Sequence, residues 1–166
     1  MAYRAASIAN ELLDLAGQND RKLTQIEIQK LVYFVHGWHL AYRDSPLIGE
    51  LFEPWKYGPV VRSLYDSFKK FGSDPITEKA TSWQTNSEGA IIEVTPAILS
   101  NDDDSDDYAV ALTREVWRKY GMLAPFELVD VTHRADGPWA KAYYAKQTYI
   151  TNEAISEYFK TLIPQA

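Results

Sequence analysis

The residues of this chain whose types and spacing could do chemistry are its three histidines and a few carboxylates. His36 and His39 stand three apart, so on a helix they share a face and could meet one metal ion, with His133 as a third ligand. A zinc-binding helix brings a glutamate beside its first histidine. Here Val35 and Gly37 flank His36, so no metal is assigned. In the acidic run NDDDSDD (Asn101–Asp107), Asp102, Asp104 and Asp106 alternate as calcium ligands do. A calcium loop in that register needs glycine at Asp107 and glutamate at Thr113, and has neither. Thr132-His133 with Asp136 nearby offers a base and an orienting carboxylate, and Glu53 could be its partner carboxylate. There is no G-x-S-x-G elbow, P-loop or G-x-G-x-x-G. Glu53, His36 and His133 therefore stand as a candidate polar site, with no catalytic residue and no cofactor assigned.

A second anomaly is aromatic. The chain carries five Trp and eleven Tyr, and Trp55, Tyr57, Trp83 and Trp139 fall in loop-like places. Each such ring, taken singly, is expected to close a small core. Together, with Pro and Gly stiffening EPWKYGPVV (Glu53–Val61) and the GPW turn at Trp139, they suit a preformed protein-binding surface.

The elements that must position these residues are mostly helical. Ala5–Ala16 carries an apolar stripe closed by Gly17. Thr24 and Glu27 form a capping box with Leu23 and Ile28 as its staple, opening a helix that runs to about Arg43. Its apolar residues (Ile26, Ile28, Leu31, Val32, Phe34, Val35, Trp38, Leu40) face nearly every direction, which predicts a buried central helix. Leu51–Trp55 reads as extended, and Tyr57-Gly-Pro-Val reads as the start of a helix ending at Gly72, with Pro59 in its first turn. Ile91–Val94 reads as a strand paired across Asn86–Gly89, giving a short β-hairpin near 83–95. The acidic run caps a helix from about Tyr108 to Tyr120, and further helices start at Ala124-Pro125, at Pro138 and after Thr151. The expected fold is mainly α: one compact domain, 1–166, around the central helix, without internal repeats.

Composition narrows the function classes. Hydrophobic residues make up 46% of the 166 residues, enough for a core. Seventeen basic against twenty-three acidic residues give a net charge of −6, and no basic stripe forms, so nucleic acid is not an expected partner. The absence of cysteine excludes disulfides and thiolate chemistry and fits a reducing compartment. No signal peptide and no membrane-length apolar run is read, so the expected location is cytoplasmic, away from the membrane.

Four stretches, in order, carry a resemblance. They are LTQIEIQKLVYFVHGWHLAY (Leu23–Tyr42), FEPWKYGPVVRSLYDSFKKFG (Phe52–Gly72), ELVDVTHRADGPWAKAY (Glu127–Tyr143) and ITNEAISEYF (Ile150–Phe159). Together they resemble the SocA-like antitoxin family, or Panacea domain, which is related to phage-associated proteins. The most specific parts are the core-helix motif at Ile28–Phe34 and the block Phe52–Tyr65. The His133–Trp139 element has one residue more between His and Pro than the family pattern.

The resemblance implies an α-rich antitoxin that is not an enzyme and neutralises a co-encoded protein toxin by direct contact. One branch instead delivers its toxin to an ATP-dependent protease. Some members add a DNA-binding domain, for which 166 residues leave no room. The partner-binding residues expected on this basis are Trp55, Tyr57, Val60 and Trp139. A hydrolase working through His133 with Glu53 or Asp136 remains the reading from a different class.

Overall fold

The structure is a computed structural model, and it describes residues 2–99 and 104–165. Its elements follow in chain order. Helix α1 spans Ala5–Gln18 and α2 spans Gln25–Arg43. A first hairpin pairs β1 (Glu53–Trp55) with β2 (Gly58–Val60), followed by α3 (Arg62–Phe68) and a 3-10 turn, Lys69–Phe71. A second hairpin pairs β3 (Ser82–Thr85) with β4 (Ile91–Val94). Then come α4 (Asp104–Tyr120), α5 (Pro125–Thr132), α6 (Pro138–Tyr144) and α7 (Asn152–Thr161). Among the described residues the fold is mainly α, as expected, with the expected ribbon near 83–95 and a second antiparallel ribbon, at 53–60, that the sequence did not announce.

The central helix is α2. The Glu27 carboxylate accepts from the Thr24 backbone N–H at 3.2 Å, so the expected capping box starts it, and Leu23 and Ile28 are both buried. Asp44, in a left-handed conformation at φ +52°, ends it. Between these ends α2 packs against α1, α3, α4, α5 and α7. Being enclosed on so many sides is what its all-round apolar pattern required.

Aromatic contacts fill the layer between α2, α4 and α7. Phe34 stacks on Tyr120 with centroids 4.3 Å apart, and Tyr33 and Trp38 meet the Phe159 ring edge-on. The Thr151 hydroxyl accepts from the Ala154 N–H at 3.2 Å and starts α7, with Ile150 and Ile155 buried beside it. Asn10 on α1 bonds Ala80 in both directions and donates to the Pro96 carbonyl, which ties the flanks of the second hairpin to the body.

Three sequence expectations are corrected. Gly17 lies inside α1, which runs to Gln18 and is capped by Asn19. The helix before Tyr120 begins at Asp104, so Asp104, Asp106 and Asp107 form its first turn, where their charge complements the helix dipole. Asp102 lies outside the described residues. The third correction matters most. Tyr57-Gly-Pro-Val does not begin a helix, because Gly58–Val60 is a strand and α3 starts only at Arg62.

Candidate functional site

The hairpin of β1 and β2 lies across α2, α5 and α6. Its register pairs Glu53 with Val60, Pro54 with Pro59 and Trp55 with Gly58, leaving Lys56 and Tyr57 as the tip. Prolines cannot donate to a ladder, so the Pro54–Pro59 pair takes the non-hydrogen-bonded place and loses nothing there. In that place the Pro59 carbonyl points outward, and it accepts from the Lys30 amine at 3.1 Å. Gly58 supplies the positive φ, +115°, that closes the turn. It is also a contact surface. A Cβ there would lie 2.5 Å from Lys30 Cε and 2.9 Å from Thr132 Oγ1.

α2 holds the hairpin through a polar line on its otherwise apolar body. The Gln29 amide accepts from the Val61 N–H at 3.0 Å and donates to the Val61 carbonyl at 3.2 Å, as a neighbouring strand would. Gln25 donates to the Tyr65 carbonyl at 3.1 Å. On the far side the Trp139 indole N–H donates to the Trp55 carbonyl at 2.7 Å. Trp139 is sandwiched between His133, with centroids 3.7 Å apart, and Tyr143, at 4.8 Å. The family model for the antitoxin SocA-like Panacea domain matches residues 28–140, a span running from α2 to Trp139 and its stack on His133.

The chain belongs to the SocA-like antitoxin family. Antitoxin SocA of Caulobacter vibrioides (strain NA1000 / CB15N) is 34% identical over 135 residues, which are 81% of this chain and 68% of that protein. No solved structure matches the chain. The hairpin, α5 and the start of α6 lie within the matched span of this Panacea-family chain.

The expected site residues separate into an exposed tip and its supports. Tyr57 is 58% exposed, with the Lys56 amine 5.5 Å from its ring centre. Trp55 is half-buried. Its indole donates to Glu53 at 2.6 Å, its ring meets Tyr65 at 4.9 Å, and Arg62 lies over it. Val60 and Trp139 are only 7% and 4% exposed. Sequence reasoning placed both on a contact surface, yet here their side chains face inward, because the hairpin folds onto α2 and α6. Trp83 is exposed on β3, in the other hairpin.

Glu53, His36 and His133 do not converge, and no hydrogen bond joins any two of them among the described residues. Burial works against ionisation of Glu53, but its bonds from Arg62 and Trp55 outweigh this and hold its carboxyl below the usual range. His36 is fully buried, bonded to Asn152 at 2.9 Å and to the Ile48 N–H at 3.4 Å. Burial pushes its pKa down to about 4. His39 bonds the Ser45 carbonyl at 2.7 Å, so both α2 histidines hold the segment between α2 and β1, and His36 also reaches Asn152. His133 has no bond to Asp136. Its pKa is lowered by burial and by the Lys30 charge, against a weaker pull from Asp130. Among the described residues no group of three or more His, Asp or Glu stands where it could hold a metal ion. No described helix is long and apolar enough to cross a membrane.

Lys30 is the residue that sequence reasoning missed. It is 1% exposed, and burial lowers its pKa to about 7. The signal was present as a lysine between Ile28 and Leu31 on a helix apolar all round, with Gln29 beside it.

Proposed function

We propose that this chain is an antitoxin that neutralises a protein toxin encoded beside it by direct contact, through the surface around the Lys56–Tyr57 tip. The observation that carries the reading is family membership over the hairpin and its supports, together with the likeness to Antitoxin SocA. An exposed tyrosine on a turn anchored from two sides supports it. Such a ring offers large contact area and a hydroxyl while little remains to be ordered on binding.

In this reading Tyr57 and the exposed part of Trp55 meet the toxin, while Val60 and Trp139 hold the tip in place. The whole chain acts as one domain, in the cytoplasm and without a chemical step. A core shared by residues from α1 to α7 favours such a unit. Co-expression with the neighbouring reading frame is the test. Growth should be restored and the two proteins should co-purify, with toxin abundance unchanged. Neither rescue nor a complex would end the reading, and rescue with falling toxin levels would replace it by delivery to an ATP-dependent protease.

A further inference from the structure

The polar groups beneath the hairpin are incompletely paired. The buried Lys30 amine carries up to three N–H groups, and the described residues supply one acceptor, the Pro59 carbonyl at 3.1 Å. His133 Nε2 is enclosed and has no hydrogen-bond partner. The Thr132 hydroxyl, which borders the same place, already donates to the Val129 carbonyl at 2.8 Å. None of the chain's ion pairs among described residues involves Lys30 or His133. Buried cations are ordinarily paired, and buried polar atoms are ordinarily hydrogen-bonded, so this arrangement is incomplete in the free chain.

We propose that Lys30 and His133 form an anion subsite, and that an aspartate or glutamate side chain of the bound protein partner fills it by displacing the Pro59 carbonyl from Lys30. The proposal rests on the binding reading above and names the partner chemistry at the same hairpin. The Lys30 ammonium and His133 Nε2, in the tautomer that carries the ring proton there, match the two oxygens of one carboxylate, whereas a phosphate presents more acceptors than they can satisfy. A chain of net charge −6 also repels polyanions, while a single carboxylate delivered within a protein interface avoids most of that repulsion.

The entry is the tip. Lys56 and Tyr57 are exposed, and a small shift of β2 away from α2 at Pro59 would free the amine while Gln29 and Trp139 keep hold of the flanks of the hairpin. His133 is already held by its stack on Trp139, so its ring is in place before the partner arrives. In the free state the lowered pKa of Lys30 lets the amine remain buried partly uncharged. Pairing with a carboxylate would then fix the ammonium form.

The experiment is side-chain NMR of Lys30 and His133 in the full chain, alone and saturated with the protein encoded beside it. The expected result is a rise of the Lys30 titration midpoint by about two units or more in the complex, with a shift of the His133 ring signals. Lys30→Met should keep or raise the thermal midpoint of the free chain and weaken the complex by about thirtyfold. A complex in which Lys30 and His133 titrate as in the free chain, or a Lys30→Met variant of unchanged affinity, overturns the subsite and leaves the binding reading standing. If no complex forms, the binding reading falls. The subsite is then decided by titrating the free chain with sodium acetate against sodium chloride. A saturable shift of both residues with acetate alone supports it, and equal response to both salts overturns it.

Discussion

The ring of Phe159 occupies the space in which Gly37 would otherwise carry a Cβ, an atom that would sit 2.3 Å from its Cε2. That absence lets α7 lie directly on α2, with Tyr33, Phe34 and Trp38 closing around the same ring. By helix propensity alone Gly37→Ala would add about 1 kcal/mol of stability. Overpacking against Phe159 should reverse the sign and leave a net loss of about 1–3 kcal/mol. Urea unfolding measures it, and a variant as stable as the parent would show that α7 does not pack this way.

Gly58 is expected to tolerate alanine still less. Its φ of +115° strains any side chain, and the new Cβ would press on Lys30 Cε and Thr132 Oγ1. Gly89→Ala is the matched control, since its φ is also positive, +81°, but nothing lies within 4 Å of the added carbon. Losses of about 2–3 kcal/mol and about 1 kcal/mol respectively are expected from unfolding curves. Equal losses would mean that backbone strain alone matters at Gly58.

Lys30 makes stability depend on pH in the neutral to alkaline range. Its folded pKa, about 7, lies below the ordinary lysine value of 10.5. Below pH 7 both states hold the proton, and the buried charge weighs fully against folding. Between about pH 7 and 10.5 the unfolded state holds more protons, so stability rises with pH by up to about 1.4 kcal/mol per unit. Lys30→Met should remove that rise and make the protein more stable at pH 6. A parent whose urea midpoint is flat from pH 7 to 9 would contradict the burial of a free amine.

His36 acts at the acid end. Its folded pKa of about 4 lies below the ordinary 6.5, so the unfolded state binds the proton first as pH falls from 6.5 towards 4, and stability drops across that window. His39 and His133, also lowered, add to the same slope. Thermal midpoints at pH 7, 6 and 5 should decline steadily, and His36→Asn should flatten the decline. No decline at all would place His36 in contact with water.

Tyr57 and Trp139 should separate binding from folding. Tyr57→Ala is expected to weaken toxin binding by about tenfold or more while moving the thermal midpoint little, because the ring is largely solvent-exposed. Trp139→Ala removes a buried ring, its stack on His133 and its bond to Trp55, and should cost about 3–5 kcal/mol. The converse pattern, with Tyr57 governing stability, would show that the tip belongs to the core.

The elements with local start signals were legible in the sequence. The Thr24–Glu27 box, the Thr151 cap and the prolines opening α5 and α6 act within one turn of the chain, so residue identity and spacing suffice to locate them. The all-round apolar pattern likewise announced α2 as the buried helix. Segment 57–61 reads as a helix start but forms a strand, because proline is at home both in the first turn of a helix and in a two-stranded ribbon.

The choice at Pro59 is made by residues distant in sequence. Gln29 pairs with the backbone of Val61, Trp139 holds the Trp55 carbonyl, and Lys30 meets the Pro59 carbonyl, all only after α2 and α6 have been brought together. The same applies to burial of the site residues. His36, Val60 and Trp139 are hidden, and Tyr57 is not, because exposure is a property of what packs on a residue rather than of its type. The sequence alone determined the central helix and most helix starts through short-range hydrogen bonding and periodicity, and its four motif stretches carried the family resemblance. Only the tertiary structure decided that EPWKYGPVV is a hairpin standing on a buried lysine, since that depends on contacts between distant parts of the chain.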